Sequence, residues 1–192
     1  MAIARDSLLS LEAYAKARGE FRARVLEHKK PRTVHLGDHV TLIFEDELTM
    51  RYQVQEMLRV ERIFEEEGIQ DELDAYNPLV PDGTNFKATM LIEYENPDDR
   101  AVALGRLVGI ERRIWVEVEG EPRVYAIADE DLPRETETKT AAVHFLRFEL
   151  TTGMVGALRK GAGLGIGVDH PQYEAQISAE SATRAALMAD LA

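Results

Sequence analysis

The residues of this chain best suited to chemistry are two histidines and one aspartate in its carboxy-terminal half. His144 lies among apolar residues in the run 140–150, and Asp169 and His170 end the run 164–170. If the two imidazoles and the carboxylate met, they would supply two nitrogen ligands and one oxygen ligand, a set suited to zinc, manganese or ferrous iron. This pattern gives one hypothesis, a small metal-dependent enzyme whose site contains His144, Asp169 and His170.

The same residues have a structural interpretation, which the sequence favours. In an extended segment His144 shares a face with Leu146 and Phe148, because side chains alternate with a period of two. A histidine on such an apolar face is usually a hydrogen-bonded core residue. Asp169 and His170 precede a proline, a composition typical of a turn in which the aspartate accepts backbone amides. No complete ligand set and no nucleophile–base pair is evident, so catalytic residues are unassigned, no cofactor beyond a divalent metal is indicated, and an enzyme activity stays open.

Alternating glycines and a single tryptophan form a second group of unusual residues. Glycine occupies every second position from 161 to 167, after a predicted helix and at the start of a predicted strand. A dinucleotide-binding loop has the opposite context, so the glycines instead indicate close approach of a neighbouring element to a bare strand face. Trp115 shares a predicted strand face with Arg113 and Glu117, where it could anchor a partner or cover the sheet edge.

Composition excludes several kinds of chemistry and partner. The chain of 192 residues has no cysteine, which removes disulfides, thiolate nucleophiles and cysteine-ligated metal centres. Its formal net charge is −12, so nucleic acids and anionic membranes would be repelled and are not expected as partners. The sequence shows neither a signal peptide nor an apolar run of about 18 residues, so we expect no membrane span and a cytoplasmic location.

One segment carries the opposite charge. Residues 16–32 include seven basic residues and two glutamates. This pattern is typical of a solvated helix face with ion pairs four residues apart, such as Glu20 with Arg24. The alternative is an electrostatic docking site for acidic residues of the same chain or of a partner.

Hydrophobic periodicity predicts the elements that must position these residues. In the amino-terminal part, helices are predicted over 10–29, from Met50 to a stop at Gly68, and over 70–76, with a hairpin over 34–44. The loop 78–83 then separates a region of helical periodicity from a region in which alternation of apolar and polar residues begins. Beyond it, strands are predicted over 86–94, 114–118, 124–128, 140–150 and 164–170, and helices over 98–108, 154–160 and 181–191.

This order of elements predicts an α+β fold. Residues 1–80 are expected to form a mainly helical region with a short hairpin, and residues 84–192 an α/β sheet region with a terminal helix, an arrangement compatible with one compact unit. The amino-terminal helices are expected to pack on a mixed or antiparallel sheet of split βαβ, ferredoxin-like character with one extra strand.

Four segments give the chain a resemblance to a known family. They are YQVQEMLRVER (52–62), DELDAYNPLVPDG (71–83), VHFLRFEL (143–150) and GVDHP (167–171). Together they resemble a family of bacterial proteins labelled as a domain of unknown function. Members of this family are often encoded beside a rubrerythrin and an iron–sulfur protein similar to heterodisulfide-reductase subunits. The resemblance therefore implies redox partners, and it assigns no role to any residue.

The favoured hypothesis is a cytoplasmic accessory protein that docks to these redox partners, in an oligomeric state the sequence does not specify. The apolar contacts for docking would come from Met50, Met57 and Phe64 on one helix and from Trp115. The chain is not expected to be a di-iron enzyme itself, because no glutamate is followed three residues later by a histidine.

Overall fold

The chain forms an α+β fold with two antiparallel sheets, which confirms the predicted fold class. The computed structural model describes residues 2–130, 134, 136 and 138–192. In these residues the helices are α1 (Leu11–Lys29), α2 (Glu47–Glu61), α3 (Glu66–Tyr76), α4 (Pro97–Arg106), α5 (Thr152–Arg159) and α6 (Ser181–Met188). The strands are β1 (Thr33–Leu36), β2 (Val40–Glu45), β3 (Asn85–Ile92), β4 (Ile114–Val118), β5 (Val124–Tyr125), β6 (Ile127–Ala128), β7 (Val143–Glu149), β8 (Leu164–His170) and β9 (Tyr173–Ser178).

The strands divide between a five-stranded sheet in the order β1-β2-β3-β7-β6 and a four-stranded sheet in the order β5-β4-β8-β9. The segment 124–128, predicted as one strand, changes sheets at Ala126, whose N–H donates to the carbonyl of Ile114 at 2.8 Å. The ferredoxin-like detail is not confirmed, because β3 pairs with β7 in one sheet while β4 pairs with β8 in the other. Alternating hydrophobicity predicts strands well but leaves their partners undetermined.

One apolar core lies between the two sheets. It combines Phe44, Phe86 and Phe148 of the five-stranded sheet with Ile114 and Ile166 of the four-stranded sheet, all fully buried. Burial of five such side chains stabilises the fold by about 1.5 to 3 kcal/mol each before the entropy of ordering them is counted. The two sheets therefore form one packed unit.

The amino-terminal helices have a smaller core of their own, in which Val54 and Leu58 of α2 contact Ile69 and Leu73 of α3. This helical layer is joined to the sheets by the chain itself, since β2 follows α1 and pairs with β3 along six residues. Strand β2 lies before the predicted boundary between 1–80 and 84–192, and β3 lies after it. The boundary therefore separates two paired strands of one sheet. None of the helices in the described parts of the chain is long and apolar enough to cross a membrane.

Local sequence signals set most helix ends. Ser10 caps α1 by accepting a hydrogen bond from the N–H of Ala13 at 3.2 Å, as its position before the apolar pattern predicts. The predicted stop at Gly68 is wrong. Helix α2 ends instead at Arg62, which adopts the left-handed conformation at φ 56°, and Gly68 lies inside α3. Strand β9 was not predicted, because its alternating residues are only half-buried at best and its periodicity is weak.

The basic residues of segment 16–32 pair both locally and over long distances. Lys16 forms an exposed pair with Glu12 in the same helix at 2.7 Å. Arg18 instead makes two hydrogen bonds, 2.7 and 2.8 Å long, to the Glu56 carboxylate of α2, and these bonds lower the pKa of Glu56 to about 2. Part of the segment therefore serves as the predicted electrostatic dock for acidic residues of the same chain.

Arg32 is the centre of a buried ionic cluster that joins both ends of the sequence. Its guanidinium is 2% exposed and binds both oxygens of Asp190 at 2.8 and 2.9 Å, and it also donates to the carbonyl of Ala186 at 2.8 Å. One of its nitrogens lies 3.1 Å from Asp46, the residue that caps α2. Burial raises the pKa of Asp190 although Arg32 opposes the shift, so the carboxylate depends on this cation.

We expect Arg32→Met to lower the free energy of unfolding by about 3 to 5 kcal/mol, because the buried Asp190 carboxylate would lose its counter-ion. The double variant Arg32→Met/Asp190→Leu should recover part of this loss, since no unpaired charge would remain at Asp190. Urea unfolding followed by circular dichroism measures both effects. Lys30→Met, which removes an exposed pair with Glu27, is the matched control and should change stability by less than about 1 kcal/mol. An Arg32→Met protein as stable as the wild type would contradict the role given to the cluster.

Candidate functional site

His144 is a fully buried core residue on the inner face of β7, between the two sheets. It shares this face with Leu146 and Phe148, as the alternation predicted, and every ring nitrogen has a partner. Nδ1 lies 2.5 Å from a carboxylate oxygen of Asp129, and Nε2 lies 3.0 Å from the carbonyl oxygen of Ala141. Both ring nitrogens therefore have partners within the fold.

The hydrogen-bonded network continues through Thr140, whose hydroxyl lies 2.9 Å from Nε2 of His144 and 3.3 Å from a carboxylate oxygen of Glu111. The order Asp129, His144, Thr140 is that of an acid–base–nucleophile triad. Burial opposes such a role, because Thr140 is 1% exposed and His144 0%. The network instead joins β7 to the segment before β4 within the core.

His170 and Asp169 point to opposite faces of β8. The His170 ring donates from Nε2 to the carbonyl of Val108 at 3.1 Å and accepts at Nδ1 from the N–H of Gln172 at 3.2 Å. Asp169 lies on the other face and accepts from the hydroxyl of Tyr125 at 2.5 Å. Both residues thus have structural partners of their own.

The structure does not bring the three predicted metal ligands together. His144 belongs to the five-stranded sheet, while Asp169 and His170 belong to the four-stranded sheet and face opposite ways. Among the residues that the structure describes, no group of three or more histidine, aspartate or glutamate side chains converges as a metal ion would need. The ligand set formed by His144, Asp169 and His170 therefore has no support from the geometry.

Trp115 explains the alternating glycines of β8. Its ring lies flat on the face left bare by Gly165 and Gly167, where a Cβ added to Gly167 would come within 2.3 Å of the indole. The guanidinium of Arg123 covers the other side of the ring at 3.8 Å from the centroid, leaving Trp115 4% exposed. The close approach predicted for the glycines is confirmed, and the tryptophan covers the sheet rather than anchoring a partner.

A cleft of about 960 Å³ lies between the helical layer and the outer face of the five-stranded sheet. Its side wall includes Glu72, Tyr76 and Leu79, from α3 and the turn that follows, and its floor includes Lys87 of β3 and Phe145 of β7. Clefts of roughly 300 to 1,000 Å³ are typical of small-molecule sites, and this one is lined by both apolar and charged side chains.

Two charged groups in this cleft have unusual surroundings. Burial, with the neighbouring cation Arg147, lowers the pKa of the Lys87 amine, although the carboxylates of Glu130, Asp82 and Glu149 oppose the shift. Burial raises the pKa of Glu72 on the α3 wall, and the nearby carboxylates Glu61 and Asp71 raise it further. Each group is thus shifted toward its neutral form, which is the direction that burial favours.

A protein-family model described as a protein of unknown function (DUF3501) matches residues 2–191 of this chain. The chain belongs to this family. It is also similar to a protein of unknown function from Burkholderia pseudomallei K96243 whose crystal structure has been solved at 1.90 Å resolution. The two share 57% sequence identity over 100% of both chains, with a TM-score of 0.95. No curated protein matches the chain.

Sequence patterns did not reveal the cleft of this DUF3501 protein. Lys87 occupies an outward position in the alternation of β3, which usually indicates a lysine in solvent. Glu72 lies in a helix rich in acidic residues, where one more carboxylate is unremarkable. Neither position carries a spacing signal, because the cleft forms only when α3 packs beside the sheet.

The four residues predicted to make apolar contacts with a partner differ in their exposure in the DUF3501 structure. Met50 and Trp115 are each 4% exposed and belong to the protein interior, so the prediction is wrong for both. Met57 is half-buried, and Phe64 is 72% exposed. Phe64 lies beyond the end of α2, so its predicted place on that helix is wrong, whereas Val60, which the prediction did not include, lies on α2 and is 61% exposed.

We expect His144→Ala to lower the free energy of unfolding by about 3 kcal/mol, because the buried carboxylate of Asp129 would lose its imidazole partner. Chemical unfolding followed by circular dichroism measures the change. The exposed His35 on β1 supplies the control, and His35→Ala should cost less than about 1 kcal/mol. Equal stability of the two variants would argue against a structural role for the network.

Gly167→Ala should destabilise this DUF3501 chain by about 1 to 3 kcal/mol, because the new methyl group would overlap the Trp115 ring and lies 2.9 Å from the carbonyl oxygen of Ala175. Gly165→Ala is a matched control on the same strand face, since its Cβ would make an ordinary 3.5 Å contact with the same ring. Thermal unfolding should show a lower Tm for Gly167→Ala alone. A similar Tm for both variants would contradict the proposed packing.

Proposed function

We propose that this protein is an accessory protein that acts in the cytoplasm by docking to a protein partner of a redox system through the exposed end of α2. The observation that carries the proposal is the exposure of Val60, near the end of α2, and of Phe64, in the segment between α2 and α3, at 61% and 72%. Two large apolar side chains exposed four residues apart, one of them a phenylalanine, are typical of an interface anchor, whereas single exposed apolar side chains are ordinary on a monomer.

The backbone fixes the position of this anchor. Arg62 ends α2 in the left-handed conformation, and the N–H of Ile63 donates to the carbonyl of Leu58 at 2.9 Å. Ile63 turns inward against the small helical core, so the next residue, Phe64, is directed outward. A phenylalanine held on an ordered turn loses little conformational entropy when it binds.

The charge around the anchor indicates the chemistry of the partner. Residues 59–71 contain five acidic residues and two arginines, and Glu61, Glu65 and Glu67 are exposed on either side of Phe64. One of the two arginines, Arg59, is already paired with Glu56 at 3.2 Å. The matching surface on a partner is therefore an apolar pocket with a basic rim, and association should weaken as salt is added.

The resemblance in sequence supplies the partners to test, a rubrerythrin and an iron–sulfur protein similar to heterodisulfide-reductase subunits. In such a complex the metal centres of the partner would carry out the redox chemistry. This chain, which has no cysteine, would contribute binding and orientation.

Isothermal titration calorimetry of the tag-free protein with each purified partner from the same organism tests this proposal. We expect binding to one of them, and the double variant Val60→Ala/Phe64→Ala should weaken it by about 10-fold or more, because truncation of an interface anchor usually costs at least about 1 to 2 kcal/mol. Val102→Ala is the matched control, since Val102 is an equally solvent-accessible valine, 55% exposed, on α4.

A second arm raises the salt concentration from 50 to about 300 mM, where the affinity should fall. The proposal fails if neither partner binds the wild-type protein, or if Val60→Ala/Phe64→Ala binds as tightly as Val102→Ala.

A further inference from the structure

The charged residues that line the cleft beside the five-stranded sheet differ in whether they already have partners within the protein. Arg147 on the floor is saturated, because two of its nitrogens donate to the Glu130 carboxylate at 2.8 Å and the third bonds to Glu149. Asp82 accepts from the N–H and the hydroxyl of Thr84 at 3.0 and 2.8 Å. These groups already serve the fold and are poor candidates for binding a ligand.

Two further lining residues also have partners. Asp74 accepts from the side-chain amide of Gln70 at 2.7 Å, and the guanidinium of Arg134 lies over the Phe145 ring at 4.6 Å from its centroid and within 3.3 Å of Asp129. Among the charged residues of the cleft lining, this leaves Lys87 and Glu72.

Lys87 and Glu72 have no hydrogen bond or ion pair with any residue in the described part of the chain. They lie on different surfaces of the same cleft, one on the floor and one on the α3 wall, and they do not pair with each other. The carboxylates near Lys87 are those of Glu130, Asp82 and Glu149, and each already bonds to Arg147 or Thr84. The groups that act on Glu72 are other carboxylates. Two opposite charges without a direct partner in a partly desolvated cleft are each less stable than in water, and a ligand with complementary charges would stabilise both.

We infer that this cleft binds a free amino acid with an apolar side chain. The ligand carboxylate would pair with Lys87, the ligand ammonium would pair with Glu72, and the side chain would lie against Tyr76, Leu79 and Phe145. A zwitterion fits better than a simple anion or cation, because the lining offers one unpaired charge of each sign. The lowered pKa of Lys87 and the raised pKa of Glu72 agree with this reading, since each group would regain a counter-ion on binding.

The apolar surfaces support an apolar side chain in the ligand. Tyr76 and Leu79 come from the end of α3 and the turn after it, and Phe145 faces them from β7. Aromatic and aliphatic side chains of this kind can bury a ligand ring, and the polar groups at either side set its orientation. This site is separate from the docking surface at Val60 and Phe64, so either proposal can fail without the other.

Isothermal titration calorimetry with three probes tests the inference on the intact wild-type protein. The probes are L-phenylalanine, 3-phenylpropionate, which lacks the ammonium group, and 2-phenylethylamine, which lacks the carboxylate. We expect L-phenylalanine to bind in the millimolar range or tighter, and each of the other two to bind about 10-fold more weakly, because each loses one charge-assisted contact. Absence of L-phenylalanine binding up to about 10 mM, or equal affinity for all three probes, would overturn the inference.

Two variants assign the contacts to residues. Lys87→Met should weaken L-phenylalanine binding about 10-fold and leave 2-phenylethylamine unchanged, while Glu72→Gln should weaken L-phenylalanine and leave 3-phenylpropionate unchanged. Lys16→Met and Glu12→Gln change the same residue types on an exposed ion pair of α1 and should bind like the wild type. If Lys87→Met does not fold by circular dichroism, Lys87→Gln replaces it. Full affinity for L-phenylalanine in a folded Lys87 variant would refute the assignment.

Discussion

The ion pair between Arg32 and Asp190 is the interaction on which the arrangement of layers depends most. Arg32 follows α1 directly and precedes β1, and Asp190 follows α6, so residues 158 positions apart meet in the interior. The same guanidinium reaches Asp46, the cap of α2, and therefore holds three elements at one point. A buried carboxylate without a counter-ion carries a large desolvation cost. The guanidinium must therefore stay in contact with its carboxylates, which few geometries allow. The cluster thus ties the ends of α1 and α6 to the start of α2.

Local sequence signals were sufficient for most elements and insufficient for their arrangement. The Ser10 cap and the alternation of β3, β4 and β7 are short-range properties, and they predicted elements close to those observed. Pairing of strands depends on contacts between residues far apart in sequence, so one split sheet and two antiparallel sheets were equally compatible with the same pattern. The helix stop at Gly68 failed for a related reason. Glycine favours the left-handed conformation, but tertiary packing placed that conformation at Arg62 instead.

The candidate site shows a similar limit, because residue type can be read from the sequence but the surroundings of a side chain cannot. Histidine attracts attention in a sequence because of its chemistry, yet His144 and His170 have all their nitrogens occupied by the fold. Lys87 attracts none, because a lysine on an alternating strand normally faces solvent. Only the structure shows that the Lys87 ammonium lies in a cleft and makes no hydrogen bond or ion pair there, because the nearby Glu130 and Glu149 already pair with Arg147. Whether a polar group is already satisfied is a property of three-dimensional neighbours, and it separates structural groups from candidate binding groups.

The position of the single tryptophan makes the protein its own spectroscopic reporter. Trp115 lies on the four-stranded sheet beneath Arg123, with 4% of its surface exposed, whereas the cleft borders the five-stranded sheet. An indole in such dry surroundings emits at shorter wavelengths than one in water, and its emission shifts when water reaches it. Intrinsic tryptophan fluorescence therefore follows loss of the packing around Trp115, and unfolding of the four-stranded sheet can be observed without an added label.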